Sequence, residues 1–306
     1  MSLFSKNNEG TAASQIYNGP KKTGIRLFFE LLGRKFWKLI ELNLLYSLFY
    51  IPLVLSFTLF FQIKNTTVAL TVSLIMMLIF AVLVGPATAG MTKVMRNYVI
   101  ERNAFMVLDF FQSFKENFGR AFVVGFVDVL ICASVYSGFI IYPALARQYG
   151  SFIYVALVLT FSVSIVVAMM NFYAFLMIIA TDLSFKDLLK NSFSLVILEM
   201  KKNLLTFIIS LVIIVAVALL PIFVSFTFVF ILPFFPAAFV WFIVCFNSYP
   251  IVQKYVINPY YTSIGKVNPE LSDESEDDSF EPICKDMSAF EEPVAKRKKG
   301  KGKRIS

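Results

Sequence analysis

NLLTFIISLVIIVAVALLPIFVSFTFVFILPFFPAAFVWFIVCFNSYPIVQ, residues 203–253, contains no Asp, Glu, Lys or Arg. A helix crossing about 30 Å of hydrocarbon needs about 20 mostly apolar residues. This stretch is too long for one crossing, and irregular backbone exposed to lipid would leave N–H and C=O groups unsatisfied. It therefore reads as two spans, about 204–220 and 225–246, joined by a tight hairpin broken near Pro221. Pro233 and Pro236 predict a kink or unwinding inside the second of them, where neighbouring helices would have to satisfy the freed carbonyls.

Working outward, four more apolar runs bounded by charge meet the same requirement: 39–61, 68–84 continuing through GPATAG at 85–90, 121–141 and 152–180. Composition agrees. The chain of 306 residues is 58% hydrophobic and 16% charged, with a mean hydropathy of +0.73, whereas a soluble domain has about a quarter of its residues charged. The expected fold is all-α, a polytopic membrane bundle of about six transmembrane helices. Its expected parts are a polar N-terminal segment (1–24), the membrane domain (25–260) and a charged tail (265–306).

Short translocated loops carry few Lys or Arg, and cytoplasmic loops retain them. Seven lie before the first span, five in the second loop, four in the fourth and ten after the last span, against Lys64 and Arg147 alone in the first and third loops. Six spans with both termini cytoplasmic, in a plasma membrane, is the reading that keeps this asymmetry. No cleavable leader is expected, because polar or mixed sequence precedes the first span without a short apolar core near Met1.

The inner loops hold two amphipathic patterns. Val107, Phe110, Phe111, Phe114 and Phe118 recur at helical spacing with Asp109, Gln112, Ser113 and Asn117 opposite. After the fourth span Ser184 is placed to cap a helix with Asp187 three residues on, and Phe185, Leu188, Leu189, Ser192 and Phe193 form one face. Both read as elbow helices lying on the bilayer, serving either as connectors or as docking helices for a partner.

After residue 265 the apolar pattern stops. Ten acids and one base lie between Glu270 and Glu292, followed by seven bases from Lys296 to Arg304, a composition that cannot bury enough apolar surface to fold. Lys296, Arg297, Lys298 and Lys299 are candidates for contact with anionic lipid, with solvation as the plain alternative. Nucleic acid is not an expected partner.

Enzyme templates do not fit. With no histidine in the chain an HExxH zinc helix is excluded, and neither a GxSxG elbow nor a glycine-rich phosphate loop with its lysine occurs. Cys132, Cys245 and Cys284 lack metal or redox spacing. No cofactor, metal or catalytic residue is expected. The candidate intramembrane polar site is Asp128, because an ionisable group in a span is costly unless it is paired or faces water. Asn171 and Asn43 are its possible partners, and Glu41 lies one turn into the first span. Gly85, Pro86, Ala89 and Gly90 of GPATAG form a candidate packing and kink motif, with small residues four apart.

NLLYSLFYIP at 43–52, GPATAG, and DFFQSFKENFGRA at 109–121, with Thr181, Asp182 and residues 186–191 in a later turn, make the chain resemble the YesL-like family of bacterial integral membrane proteins over residues 25–255. The resemblance implies a six-span domain of unknown biochemical activity, an accessory role in carbohydrate uptake by binding-protein-dependent transporters, and no catalytic residue. The EAA-type loop by which a permease couples to its ATPase is not present. The expected function is thus a non-enzymatic transport accessory whose partners are the bilayer and transporter subunits or a second copy of itself. The alternatives are a small carrier coupled to protons through Asp128, and a lipid or envelope regulator.

Overall fold

The computed structural model describes residues 24–223 and 236–270, with side chains for 24–219 and 236–270. Every regular element among them is a helix: α1 (Ile25–Ser47), α2 (Ile51–Gln62), α3 (Thr66–Val99), α4 (Met106–Glu116), α5 (Phe118–Tyr149), α6 (Tyr154–Ala180), α7 (Phe185–Leu198), α8 (Met200–Phe223), α9 (Pro236–Val252) and α10 (Asn258–Ser263). Among the described residues, six helical runs are long and apolar enough to cross a membrane: Ile25–Gln62, Thr66–Val99, Phe118–Tyr149, Ser151–Ala180, Met200–Leu219 and Pro236–Ser263.

The chain divides into two compact units, Met1–Lys35 and Phe36–Ser306. In the first, the described residues open α1. Gly24 has φ +63°, a left-handed conformation that suits glycine, and its carbonyl accepts from Phe28 N at 3.1 Å. All sites discussed below belong to the second unit.

One expected boundary moves. The break expected near Pro221 lies beside the last described residue of α8, Phe223. A proline close to a helix C-terminus disturbs little of the ladder, and membrane helices tolerate it. The sixth span, described from Pro236, runs to Ser263, well past the end at 246 expected from the absence of charge. The helix continues beyond Lys254, whose exposed ammonium lies at the bundle's end and marks the end of the apolar run. Pro236 takes the first position of α9, where no N–H is needed. Residues 224–235 with Pro233, and 271–306 with Lys296, Arg297, Lys298 and Lys299, lie outside the described residues.

GPATAG sits inside α3, and its residues Gly85, Pro86, Ala89 and Gly90 are all buried. A Cβ on Gly85 would land on the carbonyl oxygen of Ala121 and 3.1 Å from Gly125 Cα, so α3 and α5 touch backbone to backbone. A Cβ on Gly90 would lie 2.7 Å from the carbonyl oxygen of Phe110, which seats α4 against α3 in the same way. Small residues permit this approach. An aromatic ladder follows, with ring centroids 5.6 Å apart for Phe49 and Phe110, 5.4 Å for Phe49 and Phe114, and 5.8 Å for Phe114 and Phe118.

The face of α4 differs from the expected stripe. Phe110 and Ser113 point into the bundle, while Val107, Leu108 and Phe111 are exposed and Phe118 opens α5. Ser113 Oγ donates to the Ala89 carbonyl at 3.3 Å, and Asp109 Oδ2 accepts from Asn97 Nδ2 at 3.2 Å. The Phe110 ring packs on the same turn, its Cγ and Cδ2 both 3.2 Å from a Cβ built on Gly90. In α7, Ser184 Oγ accepts from Asp187 N at 3.2 Å, and Leu188, Ser192, Leu195 and Val196 are buried. Leu189 and Phe193 face outward, and Phe185 is half-buried.

Candidate functional site

Thr88, Thr92 and Arg96 stand four residues apart on α3 and so share one face. Thr88 Oγ1 gives its proton to the Val84 carbonyl at 2.8 Å, which leaves Tyr46 the donor in its 2.9 Å bond to Thr88. Thr92 Oγ1 donates to the Thr88 carbonyl at 2.6 Å and accepts from Trp241 Nε1 at 2.8 Å. This polar seam ties α1 and α9 to α3, and it ends at Arg96, which is 1% exposed.

Arg96 Nε donates to the Tyr249 hydroxyl at 2.8 Å, with the guanidinium carbon 5.2 Å from the Tyr249 ring centroid. Arg96 Nη2 pairs with Glu270 Oε1. The other carboxylate oxygen, Oε2, accepts from the Tyr249 hydroxyl at 2.6 Å and from Gln253 Nε2 at 2.8 Å. Tyr249 and Gln253 are one turn apart, flanking Pro250, and Gln253 opens a π-helical turn, Gln253–Ile257. Proline has no N–H to give to the preceding turn, and single π turns recur at functional sites.

Glu270 is brought back to the bundle by a short return. α10 closes on Gly265 at φ +68°, with Lys266 N bonded to the Tyr261 carbonyl at 2.9 Å. Asn268 Nδ2 then donates to Asn258 Oδ1 at 2.9 Å, and Asn268 Oδ1 accepts from Glu270 N at 3.0 Å. Burial alone would push the Glu270 carboxyl up. The positive charge of Arg96, and hydrogen bonds from Tyr249, Gln253 and Arg96, outweigh it and hold the group below the ordinary carboxylate range.

A second polar contact lies deeper. Asp128 Oδ1 accepts from Asn171 Nδ2 at 2.6 Å, joining α5 to α6. Counting 1.5 Å per residue, Asp128 is roughly 15 Å from the start of α5, and both partners are half-buried. Because the amide is the donor, the bond is available to the carboxyl in either protonation state. Asn43 is placed elsewhere: its Oδ1 accepts from Ala238 N at 2.9 Å, capping the start of α9 from another span. Glu41 is exposed. Of the candidate intramembrane residues, only Asp128 and Asn171 are thus brought together.

Sequence reasoning passed over Arg96, Tyr249 and Gln253, and took Glu270 as the first acid of the tail. The four-residue spacing of Thr88, Thr92 and Arg96, an alignment of polar groups along one face of an otherwise apolar helix, was the signal available for the α3 half. No local signal pairs Arg96 with an acid so distant in the chain. Asn203 was also passed over. It accepts from the Tyr173 hydroxyl and donates to the Leu195 and Val196 carbonyls at 3.1 Å each, satisfying the C-terminus of α7 from α8.

Among known proteins, the model of a family described as a protein of unknown function, DUF624, matches residues 39–139. That segment holds the Gly85–Gly125 contact, α4, Arg96 and Asp128, and stops before Asn171, Tyr249 and Glu270. No curated protein and no solved structure matches the chain.

Proposed function

We propose that this is a non-enzymatic, multi-pass protein of a bacterial plasma membrane, with both termini cytoplasmic, that serves as an accessory component of a transport system. The observation that carries the reading is the arrangement of α4 and α7. Each is seated on the spans by a buried face, Phe110 and Ser113 in one and Leu188, Ser192 and Leu195 in the other. Each also presents apolar side chains outward: Val107, Leu108 and Phe111, and Leu189, Phe193 and Ile197. The outward face of a soluble helix would be polar instead. Apolar faces held in place between spans suit contact with lipid at the interface and with a neighbouring membrane subunit. The excess of Lys and Arg in the same loops supports their cytoplasmic placement, and the YesL-like resemblance supports carbohydrate uptake as the process served.

Photoreactive groups at Phe111 and Phe193, followed by co-purification at native expression level, test this reading. Transporter subunits are expected from both positions. Recovery of lipid alone, together with sugar uptake that survives charge substitutions along 107–118, would remove it.

One observation favours a second reading, a small carrier coupled to protons. Asp128 and Asn171 form a carboxyl–amide contact well inside two spans, and ionisable groups at such depth mark ion pathways in many carriers. Asp128→Asn should then abolish uptake driven by a pH gradient while the protein still inserts. Unchanged uptake would dismiss the carrier.

A further inference from the structure

The ends of α3 and α9 hold three donors in fixed relation: the Arg96 guanidinium, the Tyr249 hydroxyl and the Gln253 amide. All three sit on membrane-spanning helices, and Arg96 is placed by the same helix face as the Thr88 and Thr92 seam. The acceptor is of a different kind. Glu270 belongs to a return segment beyond α10 in which residues 264–267 are exposed, Val267 at 74%. The Glu270 side chain is 1% exposed, and Asn268 of the same segment is buried as well. Both carboxylate oxygens are engaged from the spans, one by Arg96 and the other by Tyr249 and Gln253. The backbone N–H of Glu270 goes to Asn268, within its own segment. The spans therefore recognise a carboxylate, and the return segment supplies one.

We propose that Arg96, Tyr249 and Gln253 form a carboxylate-binding site at the end of the bundle, which the chain fills with its own Glu270 and which takes the carboxylate of a small molecule when that segment lifts. A guanidinium buried in a bundle end is costly without an anion, so vacating the site leaves a demand that another carboxylate meets. The donor set favours a planar anion with two oxygens over a tetrahedral or spherical one, because Arg96 addresses one oxygen while Tyr249 and Gln253 converge on the other. The inference is independent of the docking reading above: α4 and α7 contribute no donor to this site.

The test is chemical rescue on the full chain purified in detergent. Glu270→Ala empties the site. Its thermal midpoint should fall below that of the wild type, and formate or acetate should raise it saturably, by about 3–6 °C at ten times the half-saturating concentration. Chloride at matched ionic strength and inorganic phosphate should have no such effect, and the wild type, already filled, should not respond to formate. Adding Arg96→Gln to the alanine variant should abolish the response. If Glu270→Ala cannot be isolated in plain buffer, purifying it in formate and reading the midpoint before and after formate is dialysed away carries the same comparison. An equal response to chloride or phosphate, a response retained without Arg96, or no response to formate in the variant that folds overturns the proposal.

Discussion

Arg96 and Glu270 show how a single charge position controls the end of this bundle. Removing one member of a buried ion pair leaves the other uncompensated, at a cost of about 3–5 kcal/mol. Arg96→Met should therefore lower the thermal midpoint sharply, because the Glu270 carboxylate stays buried with only Tyr249 and Gln253 to donate to it. Arg96→Met combined with Glu270→Leu should recover most of that loss, since neither charge remains to be compensated; a double variant as unstable as the sum of its parts would show that the pair is not coupled. The sign of the pH effect follows from the lowered Glu270 carboxyl. The unfolded group titrates near its ordinary value of 4.5 and the folded one below it, so the pair stabilises fully above 4.5 and is lost as pH falls through the lowered folded value. Thermal midpoints measured from pH 8 down to 6 should not move on account of this group, and the steeper acid limb of the wild type should be shallower in Glu270→Gln.

At the scale of elements, the determinants are small residues where helices meet. Gly85→Ala puts a methyl group on the Ala121 carbonyl, and the atom is backbone that cannot swing away. Overpacking of this kind costs about 1–3 kcal/mol, whereas Gly119, with no atom within 4 Å of an added Cβ, should accept alanine at no loss or a small gain. Comparing the two midpoints checks the helix contact against general sensitivity to substitution; equal effects would contradict it. The contact was half legible in the sequence. GPATAG announces a close approach because small residues four apart have that use in membrane helices, but its partner Gly125 is an isolated glycine whose role only the pairing of α3 with α5 reveals. The same division runs through the rest. Spans were legible because roughly 20 apolar residues have few other fates. Their ends were not, since helices run past the first charge, as α3 does to Arg96 and the last span does past Lys254. The faces of α4 were misjudged because a periodic stripe locates an apolar face without saying whether the bundle or its surroundings covers it. Asp128 was legible as a costly group, and Asn171 was among the partners the sequence offered. Arg96 was hidden by being counted as a loop charge.

For the whole molecule, the decisive question is which end faces the cytoplasm. The helices impose a parity: the connections after α3 and α6 and the return at Glu270 share one end, as the Asn97–Asp109, Tyr255–Glu199 and Arg96–Glu270 contacts require. The turns at Ile63–Asn65 and around Gly150 then share the other. Among the described residues of the second unit, Lys93, Arg96, Lys115, Lys186, Lys202 and Lys254 lie toward the first end, and Lys64 and Arg147 at the second. Positive charge is retained on the cytoplasmic side during insertion, so the first end is expected to be cytoplasmic. A variant with Cys132, Cys245 and Cys284 replaced by serine, carrying one new cysteine at a time in place of Lys64, Arg147, Lys115 or Lys186, checks this in intact cells. A membrane-impermeant thiol reagent should label the positions 64 and 147 from outside, and 115 and 186 only after the membrane is opened. Labelling of 115 in intact cells would invert the protein. It would also place the Arg96 site outside, where a carboxylate ligand would have to come from the medium and α4 and α7 would no longer face cytoplasmic partners.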